Sequence, residues 1–468
     1  MEILDRLAYF QRLFTNAPQI HVRSQAMMDK HARDVQDWMR VAESFQYLSP
    51  KEQQIAEDIF EAALKISRAL FVLGDEITAW VSQQQIADAA VKFSPGIHAA
   101  HNLAALARYG MYQVLLEESE TALALMQNHF SESDHPMAAQ YWEIKGTILT
   151  FRKRWKQAQP CFLLAREHIE YCSAIELKRW LRSSRNNLLG HENLRMVDCL
   201  INFCWNLDDG DRVSAIREIR KHIRIARELI QSPMLSYLTA LNEVELHLLE
   251  GRLEDAKKLI DDLLDEKVLK SRFTSILHPG AYIMKARVAD MESDQKAMVS
   301  YMSRALAEST IMFPDVMQEL QVVDYALDLI RRNAMTRNEW QPLMEAMVLM
   351  LEAKDWYTGR DHSKSVARTA VRLWQGWQKE DGDPAVADEL YWAAYLHDIG
   401  KLFLPRSLLN KIAPLGVSEW RIIHRHPGNT REMLQSLGAD QIAVWAGEHH
   451  QDAIGGGYPG NQPASKFG

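Results

Sequence analysis

The sequence predicts an all-α fold, with a long array of paired helices leading into a second helical module. Three observations carry this expectation. Apolar residues recur at three- and four-residue spacing, as in Ile55, Ile59, Phe60, Ala63, Leu64 and Ile66. Strand-like alternation is scarce throughout. The last quarter places histidines and aspartates at the ends of apolar stretches, above all in Tyr395-Leu396-His397-Asp398-Ile399-Gly400-Lys401.

Length and composition bound the rest. A chain of 468 residues is too long for one ordinary core, so two or three domains are expected. The hydrophobic fraction of 47% and charged fraction of 25% suit a globular protein. A net charge of −8 argues against binding to nucleic-acid polymers in general. There is no apolar run of about 18 residues, so no membrane span is expected. Met1-Glu2-Ile3-Leu4-Asp5-Arg6 does not open a signal peptide. Cys161, Cys172, Cys199 and Cys204 form no CxxC pair and lie in helical sequence. Buried free thiols in a reducing cytoplasm are the expectation.

In chain order, residues 1–95 are helical but fit no repeat, and are expected to cap the array or to form a homodimer contact. Residues 96–334 read as helical repeats, broken at Asp134-His135-Pro136, Gly190, Ser232-Pro233 and Pro279-Gly280. Trp142, Gly146 and Leu149 would form one helix, and Trp155, Ala158, Phe162 and Ala165 the next. Small residues there let two helices approach, and large ones fill the groove. Ala215, Ala256 and Ala297 recur every 41 residues in weaker copies. The stretch resembles the tetratricopeptide family. That resemblance implies a concave surface for a protein or peptide partner. The basic run Arg217, Arg220, Lys221, Arg224 and Arg227 has the spacing of a solvated helix face.

Residues 335–468 form the second module. Asp383-Pro384 opens a helix that runs into His397-Asp398, with Lys401 expected one helical turn on. A helix from Ser418 contains His424 and ends near His426-Pro427, and another from about Gln441 delivers His449-His450. Adjacent ligand pairs can serve two metal ions, with the Asp398 carboxylate bridging them. Imidazole with carboxylate suits Fe, Mn, Zn or Ni better than Ca or Mg. Two such ions activate water and align a phosphodiester for displacement. Lys401 would neutralise charge on the phosphate. No Walker loop or GxGxxG accompanies the group.

These residues resemble the HD-GYP family of HD phosphohydrolases. The shared motifs are Asp355-Trp356-Tyr357-Thr358 leading to His362-Ser363, then His397-Asp398-Ile399-Gly400-Lys401. Ser418-Glu419-Trp420 follows, leading to His426-Pro427, and then His449-His450-Gln451, leading to Gly457-Tyr458-Pro459. The resemblance implies hydrolysis of cyclic di-GMP by two divalent ions, Fe or Mn foremost, with Zn or Ni as alternatives. It implies metal ligation by His362, His397, Asp398, His426, His449 and His450, and phosphate contact by Lys401. Gly457, Tyr458 and Pro459 would border the substrate. Thr358 stands where three-metal members carry glutamate, which favours two ions. The segment Lys411-Ile412-Ala413-Pro414-Leu415-Gly416 and the loop Asp452–Gly456 depart from the family pattern. The family's last ligand, an aspartate after the GYP loop, is expected beyond Gly468, so the module reads as truncated at its C-terminus. Two other readings stay open: an inactive receptor in cyclic di-GMP signalling, and a phosphohydrolase of another nucleotide.

Overall fold

The computed structural model describes residues 76–460, with Leu64 and Ser67, apart from short stretches at 94–95, 114, 182, 206–208, 266–277, 313–315, 356, 359–360, 379–382, 412–413 and 453–454. The expectations for residues 1–75, Ile412-Ala413 and the tail from Asn461 lie outside the described residues. Among the described residues there is no strand, only an isolated bridge between Gln451 and Gly457. No described helix is long and apolar enough to cross a membrane. The chain divides into two compact units, Met1–Leu277 and His278–Gly468.

In the first unit, helices pair with their sequence neighbours. They are α1 (Glu76–Phe93), α2 (Ile97–Tyr112), α3 (Leu116–Met126), α4 (His135–Phe151), α5 (Trp155–Tyr171), α6 (Arg185–Cys204), α7 (Asp209–Leu229), α8 (Pro233–Leu249) and α9 (Leu253–Leu264). The α4–α5 pair shows why a glycine is needed. A Cβ on Gly146 would meet the Phe162 ring at 2.7 Å. Hydrogen there lets the edge of the ring approach α4, with Phe162 fully buried beside Ala158. Pro136 and Pro233 fall in the first turns of α4 and α8, where a missing N–H costs nothing. The four cysteines are buried and unpaired, and burial pushes the Cys199 thiol up to about 12. On α7, Arg227 pairs with Glu243 of α8, Arg220 with Glu250 just after α8, and Lys221 with Glu218. This basic face is therefore partly neutralised.

The second unit contains α10 (His278–Met291), α11 (Gln295–Met312), α12 (Val316–Arg332), α13 (Arg337–Lys354), α14 (His362–Gln378) and α15 (Pro384–Leu396). A 3₁₀ turn at Ile399–Phe403 and the short α16 (Arg406–Leu409) lead to α17 (Val417–Ile423), α18 (His426–Gln435) and α19 (Asp440–Gly447). One continuous core joins Met302 and Leu306 of α11, Val323 and Leu327 of α12, and Met344 and Met347 of α13 with Trp392, Leu396, Leu434 and Ile442. This compact unit begins at His278, and α10–α12 bury apolar faces in the same core as α13.

Candidate metal centre

The ends of four helices bring the candidate ligands together. Asp383 caps α15, accepting the Ala385 N–H at 2.9 Å. The helix then runs to Leu396, so His397 and Asp398 emerge at its C-terminal end. Lys401 follows on the tighter 3₁₀ turn, not on a continued α-helix. Gly400 makes that turn feasible: a Cβ there would lie 2.1 Å from the His426 carbonyl oxygen. Its N–H donates to the Thr430 hydroxyl at 2.9 Å, and that hydroxyl donates to the His397 carbonyl at 3.0 Å. Lys354, fully buried, donates to the Leu402 carbonyl at 2.8 Å and ties the turn to α13.

His426 opens α18 rather than closing the preceding helix, since α17 ends at Ile423 and Pro427 occupies a first-turn position. His362 opens α14, whose start is held by Glu352. That carboxylate accepts the Asp361 N–H at 3.1 Å and the Ser363 N–H at 3.2 Å. His449 and His450 follow α19.

Asp398 is the centre, only 5% exposed. Its Oδ1 lies 3.3 Å from His426 Nε2 and 3.5 Å from His449 Nε2. Its Oδ2 lies 3.2 Å from His397 Nε2 and 2.8 Å from Lys401 Nζ. The two oxygens thus face two ligand groups. One is His426, His449 and His450, and the other is His362 and His397, with ligand atoms in each group within 4.8 Å of one another.

The histidines are oriented by the backbone. Nδ1 of His397, His426 and His449 lies 2.8, 2.8 and 2.7 Å from the carbonyls of Ala394, Ile423 and Ala446. Each contact assigns a proton to Nδ1 and turns Nε2 toward Asp398, the nitrogen that a metal ion would take. Five imidazoles around one shared carboxylate fit a divalent transition metal.

Electrostatics follow from this crowding. Burial works to raise the Asp398 carboxyl, but hydrogen bonds from His397, His426 and His449 outweigh it and hold it well below the usual range. Burial opposes the charge on Lys401, yet Asp398 and Asp355 push it upward, so it stays a cation. Burial, with His449 and His426 beside it, lowers His450 to about 4.

The GYP loop is docked on this cluster. The Tyr458 N–H donates to the His450 carbonyl at 3.2 Å. Gly457 adopts φ +78°, and a Cβ there would lie 2.1 Å from the same oxygen. Tyr458 stacks on His450 at 4.5 Å and on His424 at 3.8 Å. Pro459 follows through a cis peptide bond.

Sequence reasoning missed the roles of some partners. Asp355, 3% exposed, holds Lys401 Nζ at 3.0 Å from 46 positions away. Glu352 and Thr430 carried no motif signal. His424, given no role in the sequence reading, packs on Tyr458.

Residues 355–466 match the HD domain family. The 3′3′-cGAMP-specific phosphodiesterase 1 of Vibrio cholerae is 37% identical over 115 residues, covering 24% of this chain and 26% of that protein. A cyclic di-GMP phosphodiesterase of Pseudomonas aeruginosa is 33% identical over 178 residues, covering 37% of this chain and 41% of that protein. The chain thus spans well under half the length of these relatives. Its C-terminal segment carries a domain of the HD-GYP family.

Proposed function

We propose that this site is a metal-dependent phosphodiesterase acting on a cyclic dinucleotide, with cyclic di-GMP as its substrate. The observation that carries the reading is the division of Asp398, one oxygen toward each histidine group, with a lysine ammonium beside it. The residues fit two divalent ions: His426, His449 and His450 with Asp398 would hold one, and His362 and His397 with Asp398 the other. Bound ions would supply water activation and charge neutralisation at a phosphodiester.

The chain's own groups then have defined tasks. Lys401 has three N–H donors. Asp398 and Asp355 take two, at 2.8 and 3.0 Å, leaving the third for a phosphate oxygen. Asp355 keeps that ammonium charged and aimed. The carbonyls of Ala394, Ile423 and Ala446 fix three imidazoles before any ligand arrives. Tyr458, stacked between His424 and His450, borders the centre, where its edge can meet the substrate. In the same proposal, the helices before residue 335 scaffold or regulate the site and receive a protein or peptide partner.

The names of two relatives point to different substrates, so 3′3′-cGAMP is the second reading. The Mn-loaded chain, given either dinucleotide and assayed by product chromatography, decides between them. Linear dinucleotide or mononucleotide from cyclic di-GMP, with a loss of about a thousandfold in Asp398→Ala, is expected. Faster turnover of 3′3′-cGAMP would replace the substrate assignment. Tight binding of both without turnover would favour a receptor.

A further inference from the structure

The first unit contains a buried charged cluster that hydrolysis at Asp398 does not use. Among its helices lies a half-open cavity of about 200 Å³, lined by Arg108, Tyr112, Glu143, Trp180, His191 and Glu192, among others. Arg108 donates to Glu143 at 2.8 Å. Glu192 is 2% exposed. Its Oε1 lies 3.5 Å from His191 Nδ1, while its Oε2 has no hydrogen-bond partner within the protein. Native folds rarely leave such an atom unanswered, and a cavity beside it is where an answer would come from.

Charge points the same way. Glu143, Glu192 and Asp198 bring three carboxyl groups, against the guanidiniums of Arg108 and Arg195. With His191 counted as neutral, the cluster is one positive charge short. Asp198 accepts from Asn242 at 3.1 Å and Glu143 from Arg108 at 2.8 Å, whereas Glu192 has only His191 near one oxygen, so the shortfall rests at Glu192. Burial, reinforced by Glu143, pushes the Glu192 carboxyl up, as expected of an undercompensated acid. The volume equals roughly six or seven waters, enough for a charged head group and a short stem. Trp180 and Tyr112 offer apolar walls for the stem.

We propose that this cavity binds one cationic group, an alkylammonium or guanidinium, whose N–H donors reach the open oxygen of Glu192. The group belongs either to a free amine or to a basic side chain of a peptide. The proposal is independent of the phosphodiesterase reading.

Titration calorimetry on the full chain tests it with three probes: putrescine, acetyl-Gly-Arg-Gly-amide, and acetyl-Gly-Glu-Gly-amide. At least one cationic probe should bind saturably at one per chain, and the acidic peptide should not. Putrescine alone assigns a free amine, the arginine peptide alone assigns a side chain, and binding of both supports the shared chemistry. Glu192→Gln keeps the shape and should weaken binding at least tenfold, with melting temperature and dinucleotide hydrolysis unchanged. Absence of saturable cation binding, equal affinity in Glu192→Gln, or preference for the acidic peptide would overturn the proposal. The acidic comparator works on the unmodified chain, so the test does not depend on the variant folding.

Discussion

Two buried carboxylates define the two units, and they are satisfied in opposite ways. Asp398 has both oxygens answered, by three imidazoles and an ammonium. Glu192 has one oxygen near His191 and the other without a protein partner. A buried charge is tolerated only when paired or hydrogen-bonded. The difference teaches that Asp398 is held in place by its own chain, while Glu192 is held ready for something outside it. The first cluster is framed by fixed backbone carbonyls. The second is framed by long side chains across α2, α4 and α6.

The packing around the two clusters can be broken separately. Gly400→Ala should have the largest effect on stability. Its Cβ would lie 2.1 Å from the His426 carbonyl and 2.7 Å from the Thr430 nitrogen, both backbone atoms. About 3 kcal/mol or more of destabilisation is expected in denaturant unfolding, at the upper end of overpacking costs. Gly146→Ala meets only the edge of the Phe162 ring at 2.7 Å, and a ring can shift. About 1 kcal/mol is expected there, since alanine's helix propensity offsets part of the strain. Equal losses at both positions would remove the contrast between backbone and side-chain contact.

The lysine bridge sharpens the comparison on the catalytic side. Lys401→Met removes the donor and leaves Asp355 and Asp398 facing each other's charge. Steady-state kinetics should show kcat reduced about a hundredfold, the usual scale for losing one preorganised donor. Asp355→Asn keeps the ammonium and loosens its aim, so a smaller loss of about tenfold is expected. A Lys401→Met enzyme with unchanged kcat would remove the lysine from the chemistry.

Acid provides the mildest probe. His222 in the first unit and His450 in the second are both lowered from 6.5 to about 4, burial being the leading cause in each. Between those limits the unfolded chain takes up protons that the folded chain refuses, so stability is full above pH 6.5 and falls as pH drops toward about 4. Thermal melts of the metal-free chain should show this fall. His222→Asn should shallow it, with some stability lost at neutral pH through the Asn193 hydrogen bond. A His222→Asn chain as acid-sensitive as its parent would contradict the assignment.

Much of this was legible in the sequence, and the remainder had physical reasons to be hidden. Three- and four-residue periodicity gave the helical class because each helix buries one face. His397-Asp398 and His449-His450 stand out because their donors are adjacent in the chain. Asp355 does not stand out in this way: its contact with Lys401 spans 46 residues and exists only after α13 and the 3₁₀ turn pack together. His424 lay in a motif-free position, and its stacking on Tyr458 required the loop to fold back. The helix from Ser418 was expected to end near His426-Pro427, because Trp420 to Pro427 carries no glycine and nothing in composition marks the break after Ile423. The Glu192 cluster gave no signal, its charges being spread over three helices.

The proposed centre rests on Asp398 joining two separate ion-binding groups. Elemental analysis of metal per chain, on protein reconstituted with Mn and desalted, tests it without reference to turnover. Two ions are expected in the parent chain, one in His362→Ala, one in His450→Ala, and fewer than one in Asp398→Ala. A single ion in the parent chain, or two retained in His362→Ala, would contradict it.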